Sequence, residues 1–187
     1  MRVYLIRHGM TEANEKRLYC GFTDLPLSKY GREQLVTLKK TVIYPEAEMY
    51  VTSGLTRTSD TLHILYDREP DVIIKEFKEM NFGEFEMKSH DDLCEKPVYK
   101  KWIKADAGVA CPCGESRDAF ENRVMAGLEK LSGLNATSVV ICHGGVIALI
   151  MRKLFSDQRN FYEWQPDFGR GYTIDIIGSS ATLIAEL

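Results

Sequence analysis

The apolar positions of this 187-residue chain fall into two kinds of pattern. Short unbroken apolar runs occur at Val3 to Ile6, Met49 to Val51, Val72 to Ile74 and Val139 to Cys142. Such runs suit strands buried on both faces, as in a sheet covered by helices. Between them the spacing turns helical. Ser28 is a predicted N-cap for a helix that carries Leu35, Leu38 and Val42 on one side. A second helix is expected from about Leu55 to Tyr66, with Leu62 and Leu65 inward. A third follows Ser116, with Phe120, Val124, Leu128 and Leu131 at helical spacing, and Gly133 and Asn135 fit its end. A fourth starts near Gly144. Its apolar residues Val146, Ile147, Leu149, Ile150 and Leu154 lie on most sides, which predicts deep burial.

The pattern changes near the C-terminus, where Tyr172 to Ile177 and Ala181 to Glu186 flank Gly178-Ser179-Ser180 and predict a hairpin. Alternating strands and helices with one terminal hairpin predict an α/β fold. The expected form is a three-layer sandwich with a mostly parallel central sheet, an antiparallel edge and helices on both faces. Residues 1–187 read as a single domain. Within it, residues 76–115 are less periodic and form a candidate lid. They hold Phe77, Phe82, Phe85, Tyr99 and Trp102, of which Phe77, Phe82, Phe85 and Trp102 are expected in the core rather than in a substrate wall.

Charge and cysteine content narrow the function classes. A net charge of −3 argues against a broad nucleic-acid surface, which needs a basic face, but permits a local basic pocket. The longest apolar stretch, Gly145 to Met151, is about a third of the ~20 residues needed to span a bilayer, and no targeting segment is visible. No membrane partner is expected, and the protein is expected in the cytoplasm. Five cysteines at irregular spacing suggest no disulfide framework. Cys111-Pro112-Cys113 lacks the further ligands of a tetrahedral zinc site, so no metal is predicted. The terminal hairpin offers an edge that permits a homo-oligomer.

Ligands of open α/β sheets bind beyond the carboxyl ends of the parallel strands. Arg7 and His8 follow the first run, Ser53 and Arg57 the second, Glu79 the third and His143 the fourth. The fold therefore gathers these groups on one edge. Their chemistry suits a phosphomonoester, which carries roughly two negative charges near pH 7. Arg7 and Arg57 offer planar forks for its oxygens. A protonated His143, Asn14 and the backbone N–H of Gly144 at a helix start are candidate further donors. One nitrogen of His8 must be unprotonated and in line with phosphorus, with the other donating to a backbone carbonyl. Glu79 is the candidate acid for the leaving alkoxide.

The segment Arg7-His8-Gly9-Met10-Thr11-Glu12-Ala13-Asn14 resembles the signature of the histidine phosphatase superfamily, the phosphoglycerate-mutase-like proteins. The likeness continues in order through Asp24 to Ser28, Ser53 to Thr58, Glu79 to Glu84, Gly114 to Ser116 and His143-Gly144-Gly145. The resemblance implies phosphorylation of His8, phosphate held by Arg7, Arg57 and His143, and Glu79 as proton donor. It implies further phosphate contacts at Thr11 and Asn14, and no metal or organic cofactor. The chain's length resembles the alpha-ribazole phosphatase and broad-specificity branch. Two departures bear on substrate identity. Phe85-Glu86-Met87 stands where Trp-Glu-Gly is usual, and Cys20 stands before Gly21 where a polar side chain is common. Both departures are expected near the substrate's non-phosphate end.

The leading expectation is a phosphomonoesterase acting through phosphohistidine on a small molecule such as alpha-ribazole 5′-phosphate or a sugar phosphate. A cofactor-primed phosphoglycerate mutase is the alternative within this chemistry, and it requires a fuller enclosure against water. A non-catalytic anion-binding module is the alternative of another class.

Overall fold

Six strands form one sheet in the computed structural model, which describes residues 1–155, 159–178 and 180–187. They are β1 (Arg2–Arg7), β2 (Met49–Thr52), β3 (Val72–Ile73), β4 (Ser138–Cys142), β5 (Gly171–Ile177) and β6 (Ser180–Glu186), in the order β3-β2-β4-β1-β5-β6. The first four in that order run parallel; β5 and β6 add an antiparallel edge. This is the expected mostly parallel sheet. Ser179, in the predicted hairpin turn, lies outside the described residues. The helices are α1 (Glu12–Glu15), α2 (Lys29–Thr41), α3 (Thr56–Tyr66), α4 (His90–Leu93), α5 (Pro97–Lys104), α6 (Arg117–Gly133) and α7 (Gly144–Leu154). Among the described residues, no helix is long and apolar enough to cross a membrane.

Side chains alternate across a strand, and here the alternation builds two cores. Val3 and Leu5 of β1, Val51 of β2, and Val140 and Cys142 of β4 join Phe120, Val124 and Leu128 of α6 and the buried residues of α7. Ile6, Tyr50, Val139 and Ile141 join Leu35 of α2 and Leu62 and Leu65 of α3 on the opposite face. Every residue of β4 is buried, as its unbroken apolar run requires.

Local chemistry sets the element ends. Ser28 and Ser116 cap α2 and α6 by accepting the N–H groups of Gly31 and Ala119. Val42, expected on the inner face of α2, lies beyond it as an extended C-cap. Leu55 is the N-cap of α3 rather than its first residue. The expected strand at residues 72–74 stops at Ile73, and Ile74 turns inward ahead of a 3-10 turn at Lys75–Phe77. Three short helices had no periodic signal. Capping boxes at Thr11/Asn14 and Ser89/Asp92 start α1 and α4, and Pro97 stands at the start of α5. Phe77, Phe85, Tyr99 and Trp102 share the core of β1 and β4, with half-buried Phe82 packed against them.

The register positions the site. Arg7 pairs with Cys142, and Thr52 with Ile141, so β1, β2 and β4 end almost level. The next residues, His8, Ser53 and His143, therefore share one edge. Thr61 ties this edge to α3: its hydroxyl accepts the Gly9 N–H (2.9 Å) and donates to the Arg57 carbonyl (2.7 Å). Thr61 is fully buried. Thr61→Val keeps the shape but orphans the Gly9 N–H, and should cost about 1–3 kcal/mol in urea unfolding. Unchanged stability would contradict this account of the turn after β1.

Candidate active site

His8 lies one residue beyond β1 and is 5% exposed. Its Nδ1 is 2.6 Å from the Gly9 carbonyl, which can only accept, so Nδ1 carries the hydrogen. Nε2 is left with its lone pair, and among the described residues no hydrogen bond engages it. Burial holds the ring's pKa well below 6.5; Arg57 and Arg7 add to this and the Gly9 bond opposes it. The result is one defined neutral tautomer.

His143, the N-cap of α7, is fully buried with its ring 5.0 Å from that of His8. Arg57 Nε donates to its Nδ1 (3.3 Å), and its Nε2 hydrogen points to Ser53 Oγ (2.8 Å). The expectation of a protonated His143 is therefore corrected. Burial foremost, then Arg57 and His8, keep its pKa well below 6.5, and one nitrogen already serves as acceptor.

Two guanidinium groups flank these rings. Arg57, 1% exposed in the first turn of α3, also donates to the carbonyls of Gly21 (2.7 Å) and Thr23 (2.9 Å). Arg7 donates to the Pro166 carbonyl (2.8 Å) and stacks on Phe168 at 3.9 Å, while its buried Nε has no hydrogen-bond partner among the described residues. Burial lowers the pKa of both, with Glu79 among the groups opposing it. An unpartnered buried N–H on a cation beside two neutral imidazoles is chemically suited to receive an anion.

Glu79 reaches the site from the loop after the Lys75–Phe77 turn. Its Oε2 accepts the Gly145 N–H at the start of α7 and its Oε1 the Met80 N–H, both at 2.9 Å. A Cβ at Gly145 would stand 2.4 Å from Glu79 Oε1, so glycine is required for this approach. Arg123 of α6 fixes the loop from behind by donating to the carbonyls of Glu76, Lys78 and Glu79 (2.8, 2.9 and 3.1 Å).

Of the other expected contacts, Gly144 lies against the Arg7 guanidinium at the start of α7. Thr11 is fully buried, and its hydroxyl is engaged with Asn14 in the α1 capping box. The Asn14 side-chain oxygen accepts from the Thr11 N–H and hydroxyl (both 2.9 Å), which leaves its amide nitrogen outside the cap. Cys20 is half-buried with Sγ 3.6 Å from the Thr23 carbonyl, and burial raises its pKa. Gly21 cradles Arg57 through its carbonyl. The sequence pattern missed Pro166, Phe168 and Arg123. The first two lie in an aperiodic stretch whose only signal was that β5 had to return beside β1.

The model of the histidine phosphatase superfamily (branch 1) matches residues 3–182, and the chain belongs to that family. The adenosylcobalamin/alpha-ribazole phosphatase of Escherichia coli is 35% identical over 98% of this chain and 94% of its own. The solved alpha-ribazole phosphatase of Shigella flexneri superposes with a TM-score of 0.86 at 34% identity, covering 100% of this chain and 96% of that one. A phosphoglycerate mutase structure from Thermus thermophilus gives 0.75 at 29% identity, covering 100% and 98%. The chain is a phosphomonoester hydrolase of the histidine phosphatase type.

The buried histidines give a pH signature. An unfolded histidine takes up a proton near pH 6.5, whereas His8 and His143 stay neutral well below that. Below 6.5 the unfolded chain binds more protons, so stability falls as pH drops from about 6.5 toward 5, by up to about 1.4 kcal/mol per pH unit per histidine. Urea unfolding of His143→Gln across this range, without phosphate, should show a shallower slope than wild type. An identical slope would count against a neutral His143.

Proposed function

We propose that His8 is the nucleophile, that Arg7, Arg57, His143, Asn14 and the Gly144 N–H form the phosphate site, and that Glu79 is the proton donor. The observation that carries this is the tautomer of His8: a buried ring with Nδ1 tied to Gly9 and Nε2 unengaged, beside two arginines. In the first step Nε2 bonds to phosphorus in line with the ester oxygen, the P–O bond breaks, and a proton from the Glu79 carboxyl goes to the leaving alkoxide. In the second, water attacks phosphorus, Glu79 takes its proton, the P–N bond breaks and phosphate departs. Charge gathered on the equatorial oxygens is met by preorganised donors rather than by reorienting water.

The named activity of the relatives supports alpha-ribazole 5′-phosphate as the substrate. Residues 1–187 are read as a single domain in which 76–115 act as a fixed wall over the leaving-group side rather than a hinged lid. Their aromatic residues share the main core, and this segment delivers Glu79. The free thiols of all five cysteines fit a reducing cytoplasm.

Phosphate release should be measured from alpha-ribazole 5′-phosphate, simple phosphomonoesters, and 3-phosphoglycerate with a bisphosphate primer. Wild type should release phosphate with a preference for alpha-ribazole 5′-phosphate, and His8→Ala should fall to background. Arg57→Ala should lower kcat by roughly 10²–10³, as for loss of an oxyanion donor. Interconversion of phosphoglycerates without net phosphate release would overturn the reading in favour of a mutase.

A further inference from the structure

The turn at Gly21-Phe22-Thr23 has two polar faces. On one, the N–H groups of Gly21, Phe22 and Thr23 and the Thr23 hydroxyl all converge on the Glu86 carboxylate. The N–H contacts are 3.0 to 3.2 Å and the hydroxyl contact is 2.7 Å. On the other, the carbonyls of Gly21 and Thr23 hold the two terminal nitrogens of Arg57. One peptide group spans both faces. The Phe22 N–H donates to Glu86 while the Gly21 carbonyl of the same peptide accepts from Arg57. A carboxylate at the donor end and a guanidinium at the acceptor end polarise that peptide in the same sense, so each bond strengthens the other.

Glu86 also accepts the Phe82 N–H (3.0 Å), from the loop that follows Glu79 and Met80. The two loops touch: a Cβ at Gly21 would fall 1.6 Å from the Met80 carbonyl oxygen, so only glycine fits there. Glu86 is half-buried and occupies the seam between the turn that holds Arg57 and the loop that carries Glu79.

We propose that Glu86 is a positioning residue that sets the Arg57 guanidinium, through the 21–23 turn, against His143 and the phosphate site. The proposal rests on the reading of this centre as a phosphate site. Glu86→Gln keeps the size but turns one acceptor toward the N–H groups into a donor. It should weaken binding of inorganic phosphate, measured by calorimetry, about tenfold in otherwise wild-type protein. In an Arg57→Ala background it should change phosphate binding less than about twofold, since the coupled partner is gone. With a phosphomonoester, kcat should fall by about 10², the scale of an ångström-sized misplacement. Equal factors in both backgrounds, or no weakening in the first, would overturn the proposal.

Thr23→Val, which removes only the hydroxyl bond to Glu86, supplies the same cycle if Glu86→Gln does not fold. Its effect should be about two- to threefold and should vanish with Arg57→Ala. An additive result for it would be equally fatal. The phosphate-binding arm needs no turnover, so a failure of the proposed catalytic roles shows as absent hydrolysis in wild type and is read separately.

Discussion

Two buried guanidinium groups, neither with a carboxylate hydrogen-bonded to it among the described residues, are the constraint on which this site depends. Arg57 gives its bonds to two carbonyls and a neutral imidazole; Arg7 gives one to a carbonyl, stacks on Phe168 and keeps a buried nitrogen unpartnered. Burying a charge without a hydrogen-bonded counterion is costly, and proteins tolerate it where a ligand supplies the compensation. On the proposed reading a phosphoryl dianion does so here. Burial foremost, with the same positive field added, keeps His8 and His143 neutral, as the proposed nucleophilic role of His8 requires.

The sheet makes this arrangement achievable. Alternation in β1 sends Leu5 to one core and Ile6 to the other, which leaves the end of the strand to place Arg7 and His8 at the edge. The level ends of β1, β2 and β4 then bring in Ser53 and His143 from distant parts of the chain. The remaining groups arrive on loops held by charged pins: Glu79 by Arg123 from behind and by α7 in front, Arg57 by the turn that Glu86 grips. The candidate site thus sits on backbone held by satisfied hydrogen bonds.

The parts of this structure legible in the sequence were those with a period or an ordered motif. Strand-like runs gave the parallel core, and the Ser28 and Ser116 caps gave two helix starts. The placement of His8, Arg57, Glu79 and His143 on one edge followed from the strand ends. The protonation of His143 was misjudged because burial and the aim of Arg57 Nε are tertiary facts. Thr11 looked like a ligand contact, although Thr11 and Asn14 stand at the spacing of a local capping box. Phe168 reaches Arg7 only because the turn before β5 is bonded to the end of β1, through Arg7 N–H to the Arg170 carbonyl and Gly169 N–H to the Arg7 carbonyl. No residue-level pattern encodes that return.

The nucleophilic role of His8 is tested most directly by trapping the intermediate. Wild-type protein mixed with a phosphomonoester and quenched within its first turnover should carry one acid-labile phosphoryl group on the peptide containing His8. Turnover without a phosphorylated protein, or a label on any other residue, would contradict the account.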